Sequence, residues 1–163
     1  MKRKITILTI AFLSSVLMCA NAFAAATGRC GGSIKWTLDD SGNLTLSGSG
    51  EMWNNNFKYY GIKTVTIGDG ITSIGDAVFE GCSGLTELTL PNSVTSIGGY
   101  AFAYCSGLSK ITSLAEIPPV CGYGVFDGVN KTNCELIVPK GSVAAYKQAY
   151  GWNGFSNIRG FSE

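Results

Sequence analysis

The 163-residue chain contains no histidine, and this absence excludes several common kinds of active site. A Ser-His-Asp or Cys-His catalytic arrangement needs an imidazole to move a proton, and histidine is the commonest protein ligand of zinc. The cysteines have no C-x-x-C spacing, so neither a zinc ribbon nor a thioredoxin-type redox pair is indicated. We therefore predict a protein that is not an enzyme and that uses no metal or other cofactor.

The chain also has little charge, since only 14% of its residues are charged and 12 basic residues face 11 acidic ones. Three of the basic residues lie within the first four positions, and no basic run follows them. A protein that binds nucleic acid, or that docks on an anionic membrane, needs such a basic patch. We therefore expect neither of these as a partner.

One long apolar run is present, at residues 5–18, directly after the basic residues 2–4. Ala22 and Ala24 then form an A-x-A cleavage site before Ala25. This order is typical of a secretory signal peptide, and the run is too short for a membrane span. We predict a signal peptide at residues 1–24 and export to the periplasm, the cell surface or the medium. We expect no membrane span after cleavage.

The most informative feature that is present is an internal repeat. Residues 71–85 have the sequence ITSIGDAVFEGCSGL. A similar sequence, VTSIGGYAFAYCSGL, follows 23 positions later at residues 94–108. A fixed period in this range is typical of a solenoid, in which each copy forms one coil. A single coil cannot bury its own apolar face, so neighbouring coils must cover it.

Short alternating segments predict the strand of each coil. They lie at residues 65–67, 88–90, 111–113 and 136–138, and their third position is apolar in all but one, where it is Ser113. The constant spacing predicts parallel strands in register, which form a narrow sheet along one side. On the other side, we expect Gly75 and Gly98 at tight bends. There Phe79, Phe102 and Phe126 should stack as an aromatic spine.

The segment ITSIGDAVFEGCSGLTELTLPNSVTSIGGYAFAYCSGL, residues 71–108, resembles the BspA-type leucine-rich repeats of exported bacterial proteins. The resemblance extends over roughly residues 63–158. It implies a mainly β repeat solenoid with a short leucine-rich-repeat array. It also implies a role in surface display, adhesion or protein–protein interaction, with a host or bacterial surface protein as the ligand.

Both ends of the array are predicted to be caps. Residues 34–53 alternate as two strands around a turn at residues 40–43, which indicates a β-hairpin. Near the other end, Ser142 is a candidate helix N-cap and Gly151 a stop, with Val143, Tyr146 and Tyr150 on one helical face. We predict four regions: a signal peptide at 1–24, an N-terminal β cap at 25–62, repeat coils at 63–139 and a helical cap at 140–163.

Five cysteines follow the predicted cleavage site, so at least one must stay unpaired within the chain. Cys82 and Cys105 occupy the same place in successive copies, where they are either small buried side chains or a bridged pair. Cys121 and Cys134 flank the segment before the last strand and form a possible disulfide. Cys30 has no evident partner.

The outward strand positions form the first candidate binding surface. They are threonine-rich and carry mixed charge, which suits a protein ligand, although a plain solvated sheet is the simpler interpretation. The candidates are Thr64, Thr66, Glu87, Thr89, Lys110, Thr112 and Glu135.

The second candidate is the aromatic segment NNNFKYYG at residues 54–61. Tyr59 and Tyr60, with Trp53 nearby, could stack on sugar rings, so a carbohydrate- or cell-wall-binding module is the alternative function. Packing under the N-terminal cap is the competing interpretation of these side chains. A third hypothesis is an assembly role, in which a poorly capped end pairs with another chain.

Overall fold

The computed structural model describes residues 26–53, 57–58 and 60–161. The predicted signal peptide lies outside these residues. Within them the chain winds through five coils and forms a mainly β solenoid, as the repeat predicted. Each coil adds one strand to a long sheet, and the first four add a second strand to a shorter sheet.

The strands are numbered in chain order. They are β1 (Ala26–Arg29), β2 (Lys35–Leu38), β3 (Asn43–Ser47), β4 (Ser49–Glu51), β5 (Thr64–Ile67), β6 (Gly70–Ile74), β7 (Glu87–Leu90), β8 (Ser96–Ile97), β9 (Lys110–Ser113), β10 (Val120–Cys121), β11 (Glu135–Pro139) and β12 (Asn157–Phe161). The long sheet has the order β1-β2-β3-β5-β7-β9-β11-β12, and the short sheet has the order β10-β8-β6-β4.

The four strands predicted from alternation are confirmed as β5, β7, β9 and β11. They pair parallel and in register, so that Val65, Leu88, Ile111 and Leu136 face one another in a row. All four side chains are buried. The 23-residue period therefore places equivalent apolar side chains directly over each other, and they form one continuous core.

The short sheet was not predicted from the sequence, which assigned this side of the coil to bends alone. Its strands have only two to five residues, too few for alternation to stand out. The predicted bend at Gly98 is confirmed. A Cβ added there would lie 2.5 Å from the Asp76 carboxylate and 2.6 Å from the Asp76 backbone nitrogen, so only glycine fits.

The predicted aromatic spine is confirmed and is one ring longer than expected. Phe79 and Phe102 stack with ring centroids 5.1 Å apart, and Phe102 and Phe126 follow at 5.8 Å. Phe57 adds a further stacked ring 5.4 Å from Phe79. All four rings are almost completely buried. Phe57 thus packs under the N-terminal cap, which was the competing interpretation of the aromatic segment.

The N-terminal end is closed by the predicted hairpin. Strands β2 and β3 pair antiparallel, and β1, which was not predicted, adds a third antiparallel strand. Trp36 from β2 covers the first ring of the spine, with its centroid 5.4 Å from that of Phe57 and the planes at 89°. The open apolar end of the first coil is therefore capped by an indole.

At the C-terminal end, a 3-10 turn (Lys140–Ser142) leads into the helix α1 (Val143–Gln148). Ser142 stands at the N-cap position as predicted, but its side chain makes no capping hydrogen bond. The prediction for Tyr150 is wrong, because the helix ends before it and its ring is 61% exposed. In the described ranges no helix has the length and apolar composition needed to cross a membrane.

The helix and the segment after it close the last coil through buried polar contacts. The Tyr146 hydroxyl lies 2.7 Å from the Ser113 hydroxyl and donates to the Ala115 carbonyl at 2.9 Å. The Trp152 indole nitrogen donates to the Pro119 carbonyl at 2.9 Å. Ser113, the polar exception among the inward strand positions, thus has a partner supplied by the cap.

All five cysteines that follow the predicted signal peptide are free and buried in the structure. Cys82 and Cys105 both point into the core, and the Cys105 thiol donates to the Phe79 carbonyl at 3.1 Å. The possible disulfide between Cys121 and Cys134 is not formed. The Cys121 side chain lies against Gly151, beside the C-terminal cap.

Candidate functional site

The outward face of the long sheet brings the seven predicted strand residues into two rows. In one row Thr66, Thr89 and Thr112 are direct neighbours on adjacent strands. The row continues beyond the repeats through Thr45, Thr37 and Thr27. Six threonines therefore cross six neighbouring strands without interruption.

Sequence reasoning missed the three N-terminal members of this threonine row, Thr27, Thr37 and Thr45. They lie on β1, β2 and β3, which are outside the clear repeats, and their partners are set by antiparallel pairing. One signal was available, since KWTL and NLTL alternate as the repeat strands do. Only the register of the hairpin shows that these threonines continue the same row.

The second row contains Thr64, Glu87, Lys110 and Glu135 in register. The Lys110 ammonium lies 3.4 Å from the Glu87 carboxylate, and Glu135 pairs with Arg159 of β12. The Thr64 hydroxyl donates to the Asn43 side-chain carbonyl at 2.7 Å. Charges of opposite sign thus alternate along this charged row, and neighbouring strands pair them.

At the end of the charged row, Glu135 and Arg159 stabilise each other in their charged forms. The hydrogen bond from Arg159 holds the pKa of Glu135 below its usual value and raises that of Arg159 itself. A general acid at neutral pH would need the opposite shift. Within the described ranges, no three acidic or cysteine side chains converge as a metal site. The face is therefore polar, with paired charges beside a row of threonines.

The structure describes part of the predicted aromatic site. Tyr59 lies outside the described residues. The ring of Tyr60 packs edge-on against Trp36 and Phe57, with centroids 5.5 and 5.7 Å apart, and is 43% exposed. Trp53 is 65% exposed and presents its indole to solvent.

The repeat geometry defines the chain as a leucine-rich-repeat solenoid, and comparison with protein families agrees. The BspA-type leucine-rich repeat region matches residues 51–141 in six copies. The chain belongs to this family, and the resemblance found in the sequence is confirmed.

Two solved structures are similar to the chain. A leucine-rich repeat protein from Eubacterium ventriosum shares 28% identity, with a TM-score of 0.50, over 72% of this chain and 39% of that one. A leucine-rich cell surface protein from Faecalibacterium prausnitzii shares 20% identity, with a TM-score of 0.33, over 85% of this chain and 44% of that one. The chain thus spans less than half the length of both. Comparison with curated proteins gives no significant match.

Proposed function

We propose that the chain is an exported leucine-rich-repeat module, without catalytic activity, that binds a protein ligand through the outward face of its long sheet. The observation that carries the proposal is the threonine row, which lies beside the charged row. Strands stand about 4.8 Å apart, so six threonines extend over roughly 24 Å. This is an extended, regular surface of the kind on which solenoids take ligands.

The threonine row suits binding because its side chains are short and stiff at χ1. Ordering them against a partner costs little side-chain entropy, which otherwise opposes association. The charged row contributes specificity in a different way. Its ion pairs are solvent-exposed, and exposed pairs are worth only about 0–1 kcal/mol. A partner can therefore exchange them for its own charges at small cost and be selected by charge pattern.

Export is part of this proposal, and the family and the basic-apolar-small order of residues 1–24 support it. Mass spectrometry of the protein recovered from its native culture should find a mature N-terminus at Ala25. A chain that retains residues 1–24 and stays in the cytoplasm would contradict export.

The binding face is tested with the double charge reversal Glu87→Lys plus Lys110→Glu. The two new side chains can still pair, so the fold is kept while the charge pattern is reversed. A matched control is Glu116→Lys plus Lys147→Glu, because both residues are exposed and lie off the long sheet. Proteins captured from the native culture by the unmodified chain should be retained by the control and lost by the sheet variant.

A steric variant tests the threonine row separately. Thr66→Arg plus Thr89→Arg places two long side chains in the middle of the row without touching the core. Equal capture by the unmodified chain, the charge reversal and this variant would remove the long sheet as the binding face.

The exposure of Trp53 favours carbohydrate or cell-wall binding as a second candidate function. The other two tryptophans, Trp36 and Trp152, are buried, so iodide should quench the fluorescence of Trp53 selectively. A stacked sugar should protect it from iodide, and Trp53→Phe should remove the signal. Unchanged quenching in soluble cell-wall fragments and in a glycan panel would eliminate this function.

A further inference from the structure

A group of exposed aromatic side chains lies on a different side of the coil from the long sheet. Tyr100, Tyr104 and Tyr123 are 40%, 57% and 70% exposed, and we name them the tyrosine cluster. The rings of Tyr100 and Tyr123 meet edge-on, with centroids 5.5 Å apart and planes at 74°. All three belong to the turn segments of the third and fourth coils.

Two members of the tyrosine cluster adopt a backbone conformation that their residue type disfavours. The φ angles of Tyr100 and Tyr104 are +56° and +58°, in the left-handed region that bulky side chains rarely enter. In the next coil the equivalent positions are Gly124 and Gly128, with φ of +64° and +76°. Glycine would thus adopt this backbone conformation without strain, yet the third coil has tyrosine at both positions. Strain of this kind is concentrated at functional sites.

The next coil leaves room for the two rings. A Cβ added at Gly124 would lie 2.6 Å from Cε1 of Tyr100, and one added at Gly128 would lie 2.8 Å from Cδ1 of Tyr104. The two rings therefore occupy space that a side chain at Gly124 or Gly128 would need. Glycine at these two positions lets both rings lie against the next coil.

Two carboxylates lie near the tyrosine cluster. Partial burial, together with neighbouring groups that include Asp127 and Glu80, raises the pKa of the Tyr100 hydroxyl. Asp127 is exposed, and its backbone carbonyl accepts a hydrogen bond from the Tyr104 nitrogen. Lys131 lines the adjoining groove with Asp127 and lies against Gly154. Aromatic faces next to carboxylates attract cations.

We propose that the tyrosine cluster binds arginine or lysine side chains from a basic segment of a protein partner. The ring faces supply cation–π contact, and Asp127 and Glu80 supply the opposite charge. This surface is separate from the long sheet and goes beyond the function proposed above. It fits a cationic peptide because exposed aromatic rings lie next to carboxylates.

The probe is a fluorescein-labelled octapeptide of alternating arginine and glycine, titrated with the chain and followed by fluorescence anisotropy. The same peptide with glutamate in place of arginine is the ligand control. We expect the arginine peptide to bind and the glutamate peptide not to bind. The double variant Glu80→Gln plus Asp127→Asn should weaken binding by about threefold or more and reduce its dependence on salt.

The triple variant of the tyrosine cluster to leucine keeps bulk but removes the π faces, and should weaken binding by about tenfold or more. The triple variant to phenylalanine keeps the faces and should bind within about threefold of the unmodified chain. Trp53→Leu removes an equally exposed aromatic elsewhere and should have no effect. Circular dichroism checks that each variant folds, and Tyr104→Leu alone serves if the triple leucine variant does not.

Several results would overturn the proposal. The first is that the arginine peptide does not bind. The second is that the leucine and phenylalanine variants bind it equally, and the third is that Trp53→Leu loses binding. Binding of a neutral glycan at the tyrosine cluster in place of the peptide would also overturn it. The variant Glu87→Lys plus Lys110→Glu should bind the peptide normally. The proposal for the tyrosine cluster is therefore tested independently of the one for the long sheet.

Discussion

The aromatic spine allows a quantitative test of the fold through Phe102→Ala. The Phe102 ring is fully buried between Phe79 at 5.1 Å and Phe126 at 5.8 Å. Removing a buried phenylalanine ring costs about 3–5 kcal/mol, since transfer energy is lost and a cavity is left. Domains of this kind have total stabilities of about 5–15 kcal/mol, so the variant should lose about a fifth of its stability or more.

A second variant separates burial from stacking. Phe102→Leu keeps most of the apolar volume but loses both stacked ring pairs, which are worth about 0.5–1.5 kcal/mol each. We therefore expect it to cost about 1–3 kcal/mol, less than Phe102→Ala. Trp53→Ala, at a side chain that is 65% exposed, is the control and should cost less than about 1 kcal/mol.

The assay is urea unfolding followed by circular dichroism at 25 °C. With a slope of about 2 kcal/mol/M, a loss of 4 kcal/mol moves the midpoint by about 2 M. A shift equivalent to less than about 1 kcal/mol for Phe102→Ala would place Phe102 outside a shared core. Equal shifts for the alanine and leucine variants would show that the apolar volume kept by leucine does not contribute to the stability.

Three further predictions follow from other parts of the structure. Ala77 has a φ of +53°, so Ala77→Gly should stabilise the fold by about 0.5–1 kcal/mol in urea unfolding. Gly124→Ala should destabilise it by more than about 1 kcal/mol, because the added Cβ also meets Tyr100. A change of the same sign in both variants would refute the strain argument. Tyr146→Phe leaves the buried Ser113 hydroxyl without its partner and should cost about 1–3 kcal/mol by the same measurement, and an unchanged midpoint would show that this contact is not formed. Burial raises the pKa of the five thiols that follow residue 24 to about 11–12. With residues 1–24 removed, a thiol reagent at pH 8 should therefore react slowly with the folded chain and with five thiols after unfolding. Three reactive thiols after unfolding without reductant would reveal a disulfide. Because unfolded thiols ionise near pH 8.5, the stability that this burial contributes is complete below that pH and should fall as pH rises toward 11–12.

The repeated elements could be predicted from the sequence because their information is local and periodic. The strands at β5, β7, β9 and β11 follow from short alternating segments that recur at nearly constant spacing. The stacking of Phe79 and Phe102 follows from the same period, because equivalent residues of successive coils must overlie each other. The same reasoning placed the N-terminal hairpin and the C-terminal helix, although not the end of that helix.

Other features could not be predicted, because they depend on which segments meet in space. Ser113 is an exception to the apolar strand pattern, and its partner comes from the C-terminal cap. The Tyr146 hydroxyl lies 2.7 Å from the Ser113 hydroxyl. Phe57 joins the spine although the sequence around it differs from that of the two clear copies. The threonine row extends to Thr27 through the antiparallel register of the hairpin.

The sequence by itself determined the architecture, since a 23-residue period in apolar side chains leaves stacked coils as the way to bury them. Only the tertiary structure decided the two candidate surfaces. The threonine row depends on strand register, and the positions of Tyr100 and Tyr104 depend on left-handed backbone over the glycines of the next coil. The physical reason is that burial is encoded within each copy, whereas a surface is formed by residues from several copies whose relative positions exist only after folding.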